Sequence, residues 1–199
     1  MDLEAQVVTA GAYVICGDGR IPFGIGPTLR GDRLAVFRVG GHREPGENSL
    51  DCAFREVYEE SSLRAEPVAP PAIYWSRQQG ATNRWRLETG TWPRKPSPVL
   101  IVERSAGALS VMYLAQSSGT PEPANEVHGL LLLTPADVMQ LVYHRPTLRQ
   151  FLTDGGRAML RTTLDQDIPL QPFPQLRILA VLLQLHPDLC STRSTQSRL

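Results

Sequence analysis

The chain has 199 residues, and its 20 Lys+Arg balance 20 Asp+Glu, so its formal charge is zero with histidine neutral. Nineteen of the basic residues are Arg and one is Lys, Lys95. A neutral chain exerts no strong non-specific pull on polymeric nucleic acid or anionic membrane, and 42% hydrophobic with 20% charged residues excludes disorder throughout.

In chain order, Val7–Cys16 is rich in β-branched and aromatic residues and reads as a strand. Gly17–Arg33 is dense in Gly, Pro and Asp and reads as a loop. Leu34–Val39 alternates as a second strand. Ser49–Ser62 is the best helix, capped by Asn48 or Ser49, with Asp51 in the first turn to suit the helix dipole. Leu63–Val68 and Ala72–Arg77 read as short strands around the Pro70–Pro71 break. Arg77–Pro98 is polar, Pro/Gly-rich and Trp-containing, and reads as a long loop. Val99–Glu103 and Leu109–Ala115 form a predicted hairpin, followed by a strand at Glu126–Leu133. Thr134 caps a helix at Pro135–Tyr143, with Pro at its first position. A helix over Thr147–Asp154 and an apolar one over Pro174–Leu185 complete the elements. No repeat or linker divides the chain, so one domain over 1–199 is expected, with a core at about 6–186 and a flexible tail at 187–199.

Cys16, Cys52 and Cys190 are too scattered for a disulfide framework, and no C-x-x-C pair suggests zinc. The acidic start lacks the regions of a signal peptide and no apolar run is long enough to span a membrane, so a cytoplasmic protein is expected. The Pro174–Leu185 helix also offers a homodimer interface.

The segment that carries chemistry is Gly40–Leu63, GGHREPGENSLDCAFREVYEESSL. Two turns, Gly40–Gly41 and Pro45–Gly46, precede Glu47 and the helix. Helical geometry puts Glu56, Glu59 and Glu60 within an arc of roughly 100°, beside an apolar stripe of Leu50, Ala53, Phe54 and Val57. Like charges at these spacings destabilise a helix by some tenths of a kcal/mol per pair, and the dipole disfavours anions near its C-terminus. A cation resolves that conflict. Hard oxygen donors without His or Cys suit Mg²⁺ or Mn²⁺. A solvated acidic face is the bland alternative.

This segment resembles the Nudix box, GX5EX7REUXEEXGU with U a bulky aliphatic residue. Gly41 opens it, Glu47 follows, then Arg55-Glu56, Val57, Glu59-Glu60 and Leu63. Ser62 stands where the family has Gly, which requires a left-handed conformation costing Ser roughly 1 kcal/mol. The resemblance implies an α/β fold of the Nudix type, an α/β/α sandwich with a mixed sheet and, here, extra C-terminal helices. It implies metal-dependent hydrolysis of a pyrophosphate bond in a nucleoside diphosphate derivative, a small-molecule substrate. The implied metal donors are Glu56, Glu60 and Glu59, with the carbonyl of Gly40. Arg55 is implied to pair with Glu47, and the general base is a box glutamate (Glu56 or Glu59) or a later carboxylate, with Glu88, Glu122 and Glu126 as candidates.

On the substrate side, Arg77, Arg84, Arg86, Arg94 and Lys95 share the long loop with Trp85 and Trp92. Arg can grip phosphate and Trp can stack a base. His42 lies beside Gly41 as a further phosphate contact. The family's downstream substrate markers, Pro or Tyr, are absent from Gln78–Gly80, so the leaving group stays open. A non-catalytic nucleotide-binding or sensing module is the alternative to the enzyme.

Overall fold

The computed structural model describes residues 2–79, 84–104, 107–124 and 127–191, with the side chains of residues 77–79, 84 and 85 outside that description. It has two mixed sheets, the first built around one long strand, β1 (Val7–Cys16). In the first sheet β1 pairs antiparallel with β4 (Val39–His42) and parallel with β9 (Leu109–Ser117). The sheet continues through β8 (Leu100–Glu103) and β6 (Tyr74–Gln79) to β7 (Arg84–Thr89), while the two-residue β5 (Glu66–Pro67) adds to β9. The second sheet runs β11 (Arg157–Leu160), β10 (Gly129–Leu133), β2 (Ile21–Pro27), β3 (Leu34–Phe37), β12 (Leu170–Pro172).

Strand alternation sorts β1 and β9 between two apolar clusters. Ala10, Ala12, Val14, Val111, Tyr113 and Ala115 pack with Cys52, Ala53 and Val57 of helix α1 (Ser49–Ser61). Tyr13, Ile15, Met112 and Leu114 face the other way, toward the second sheet and the helices α2 (Pro135–His144), α3 (Leu148–Thr153) and α4 (Pro174–Leu185). The helix–sheet–helix layering expected of an α/β/α sandwich follows from this two-sided burial.

Three departures from the sequence reading have physical causes. Ile21–Pro27, read as loop, is β2, because its glycines admit side chains from neighbouring chain. A Cβ at Gly24 would lie 2.2 Å from the Phe37 ring, and one at Gly26 2.9 Å from His128. Leu34–Val39, read as one strand, is cut at Arg38, where the chain passes from the second sheet into the first. Arg77–Pro98, read as a loop, contributes the antiparallel pair β6–β7 before it turns back. Trp92 is then buried in the cluster under α1. The strands β11 and β12 also went unread. The helix caps agree with expectation: Asn48 accepts the Asp51 amide at 2.9 Å, and Thr134 with Asp137 forms a reciprocal capping box.

Ser62 takes the left-handed conformation, φ 57° and ψ 9°, with its amide donated to the Tyr58 carbonyl at 2.9 Å. Ser62→Gly removes the Cβ penalty but loosens the unfolded chain, so a net gain of roughly 0.5–1 kcal/mol is expected. Urea unfolding measures it; an unchanged or lower midpoint would show that the turn carries no strain.

Candidate metal and active site

The site begins with the entry to α1. Ser49 donates from its amide (2.5 Å) and hydroxyl (3.0 Å) to Glu4, a buried carboxylate just ahead of β1. The Ser49 hydroxyl also meets the Tyr113 hydroxyl at 2.7 Å, and burial pushes that phenol up to about 12. This network fixes the start of the helix against the sheet. The sequence held no signal for Glu4, which sits outside any motif.

From that anchored start, Arg55 projects into a cluster of acids. Its Nε and Nη2 grip the two Glu47 oxygens at 2.9 and 3.1 Å. Nη1 reaches Glu56 at 3.0 Å and Glu59 at 2.9 Å, and Nη2 donates to the His42 carbonyl at 3.1 Å. The expected Arg55–Glu47 pair is therefore present as a planar fork, and the same guanidinium holds two further carboxylates. It keeps Glu47 below the usual carboxylate range, chiefly through that hydrogen bond.

Glu60 lies one turn beyond Glu56 and turns toward β4, where it accepts the Gly40 amide at 2.8 Å. A Cβ on Gly41 would lie 2.2–2.6 Å from the Glu56 carboxylate, so the absent side chain is what makes room for it. Glu56 and Glu60 thus reach adjacent glycines of the same strand. Gly40 has φ +143°, a conformation that favours glycine. Burial pushes Glu60 up to about 7; the Gly40 amide and Arg38 oppose that rise, while Glu56 and Glu59 add to it.

All of these donors are hard oxygens, which suits Mg²⁺ or Mn²⁺. Among the described residues no three His, Cys, Asp or Glu side chains converge on one point, because Glu56 and Glu59 lean on Arg55 while Glu60 leans on Gly40.

The substrate-side candidates scatter. The His42 side chain is exposed at the end of β4, and only its carbonyl enters the cluster. Arg86 lies on β7, pairs with Glu88 at 3.3 Å, and is separated from β4 by four strands, about 24 Å at normal strand spacing. The side chains of Arg77, Arg84 and Trp85, and all of Glu126, lie outside the described residues. A cavity of about 1040 Å³ opens at the C-terminal ends of β1 and β9, beside Cys16, Arg64, Gln116 and Asp188, and takes in none of the site residues expected from sequence. Besides Glu4, sequence reasoning missed Arg38. A lone cation in an apolar strand run, two positions before Gly-Gly, was the available signal.

The Glu60 carboxyl gives a stability signature. Its folded value of about 7 exceeds the ordinary 4.5, so between these values the folded state binds more protons than the unfolded one. Its contribution to stability therefore falls as pH rises from 4.5 to 7. Metal-free wild type should lose stability relative to Glu60→Gln as pH rises from 5 to 8 in urea titrations. Parallel pH profiles for the two proteins would refute this assignment.

Comparison with known proteins adds the family. No curated protein matches the chain significantly. Among solved structures, a Nudix-family hydrolase from Clostridium perfringens is 12% identical, with a TM-score of 0.49, over 91% of this chain and 97% of that one. The E. coli ORF135 protein is 17% identical, with a TM-score of 0.42, over 71% of this chain and 94% of that one. The family model described as the NUDIX domain matches residues 28–154, which hold β3, β4, the Arg55 cluster and Glu60, and the chain therefore belongs to the Nudix family.

Proposed function

We propose that this protein hydrolyses a pyrophosphate bond in a nucleoside diphosphate derivative with the help of Mg²⁺ or Mn²⁺. One observation carries the reading: Glu56 and Glu60, one helical turn apart, reach Gly41 and Gly40 on the neighbouring strand. In this reading Glu56, Glu60 and the Gly40 carbonyl hold the cation, with Glu59 completing the set. When bound, the cation neutralises charge on the diphosphate oxygens and promotes ionisation of the attacking water.

The chain's own residues do the rest. Arg55 and Glu47 keep the helix face in register, so the two donors start from a fixed geometry. Glu59 is the more open of the two helix carboxylates that Arg55 contacts, with 41% of its side chain exposed against 15% for Glu56. It has room to accept a proton from water, and this makes it our choice of general base. The buried strand β1, paired with β4 behind the glycines, excludes solvent from one side of the site.

A second reading, a nucleotide-binding or sensing module without turnover, draws on the engagement of Glu56 and Glu59 by Arg55. Activity separates the two. With Mg²⁺ or Mn²⁺, the purified protein is expected to cleave at least one member of a broad panel of nucleoside diphosphate derivatives. Glu56→Gln and Glu60→Gln should each lose on the order of 100-fold or more in kcat/KM while retaining wild-type circular dichroism. Tight binding of a panel member by wild type, without turnover at any divalent metal, would establish the sensing module instead.

A further inference from the structure

Arg38 is the one charged residue between β3 and β4, at the point where the chain leaves one sheet for the other. Its half-buried guanidinium folds back over the first sheet. Nη1 donates to the Ala10 carbonyl at 2.7 Å. Gly11 and Gly40 are register partners across β1 and β4, and both leave space for this group. A Cβ at Gly40 would lie 2.0 Å from Nη1, and one at Gly11 would lie 2.4 Å from it. Two facing glycines thus form a slot that the guanidinium fills. Burial pulls the Arg38 group down from its ordinary value, and the neighbouring Glu60 carboxylate is the largest influence in the other direction.

We propose that Arg38 is a positioning residue that wedges the β3–β4 crossover against β1, so that Gly40 presents its amide to Glu60 and its carbonyl to the metal site. The proposal rests on the reading of Gly40 and Glu60 as metal donors. The physical logic is one of volume and direction. A backbone with glycine at two facing positions has little side-chain bulk to fix its height above the sheet. The planar guanidinium supplies that bulk, and its bond to Ala10 sets its orientation. Charge alone would act the other way, since a cation beside Glu60 repels a divalent ion.

Two substitutions separate geometry from charge. Arg38→Met keeps apolar bulk and loses the cation; Arg38→Lys keeps the cation and loses the planar fork. The first readout is the Gly40 amide proton in ¹H–¹⁵N spectra of metal-free protein, with Glu60→Leu, which has no acceptor, as the reference for loss of the Gly40–Glu60 bond. The second is Mn²⁺ affinity by electron paramagnetic resonance, with no substrate present. Both variants should move the Gly40 amide toward its position in Glu60→Leu, and both should weaken Mn²⁺ binding by about 10–100-fold. Wild-type behaviour of Arg38→Lys in both readouts would overturn the proposal, as would tighter Mn²⁺ binding by Arg38→Met. If Arg38→Met does not fold, Arg38→Lys decides alone. Failure of wild type to bind Mn²⁺ would count against the proposed function, while the Gly40 amide would still judge Arg38.

Discussion

Like-charge repulsion is the constraint around which this molecule is organised. Glu47, Glu56 and Glu59 crowd one side of α1 and its entry, and Arg55 makes that arrangement tenable by contacting all three. A single Lys could not do so, because only a planar fork offers bidentate contact to one carboxylate while a third nitrogen reaches two others. The cluster is half-buried, so its charges are screened less than an exposed pair and the geometry counts for more. Glu60 escapes the guanidinium altogether. It takes its hydrogen bond from Gly40 and bears the full effect of burial, which is why its carboxyl rises while that of Glu47 falls.

The second constraint is closeness. Carboxylates on a helix reach the strand beneath only where that strand has no side chains in the way. Gly41 accommodates Glu56, Gly40 meets Glu60, and Gly11 opposite leaves the space that Arg38 occupies. The helix itself is held by unrelated contacts: the Asn48 cap, the buried Glu4 carboxylate on Ser49, and the left-handed Ser62 at its exit. A fixed start and a fixed end, thirteen residues apart, determine which face meets β4.

How much of this the sequence disclosed depends on the range of the interaction. Local signals were legible: β1 and α4 were read with their observed bounds, α1 and α2 within one residue, the α1 cap was narrowed to Asn48 or Ser49, and the Thr134 cap was recognised from side-chain chemistry alone. The Arg55–Glu47 pair was legible only through the resemblance to the Nudix box, whose pattern holds both positions. What failed were features decided by distant partners. β2 looks like loop until Phe37 and His128 are seen lying against its glycines. β11 and β12 exist because β10 and β3 offer them edges. Glu4 and Arg38 acquire roles only through Ser49, forty-five residues away, and Ala10, twenty-eight residues away.

Zero net charge, finally, conceals a separation. Gly40–Leu63 has a local balance of −4, and Arg77–Pro98 one of +4. Among the described residues these do not form two poles of one cleft. The first half of the basic stretch forms β6 and β7, at the sheet edge opposite β4, where Arg86 pairs with Glu88. The second half returns beneath α1: Trp92 is buried with Cys52 and Val57, and the charge of Arg94 is felt at the Tyr113 hydroxyl alongside those of Glu4 and Asp51. Among the described residues, it is this returning half that approaches the helix, with the charge of Arg94 acting beside its N-terminal network. The cation that stands beside the Glu60 carboxylate is Arg38, from outside the basic stretch. Among the described residues, the cations that act directly on the site's carboxylates are thus Arg55, among the outer ones, and Arg38, behind Gly40.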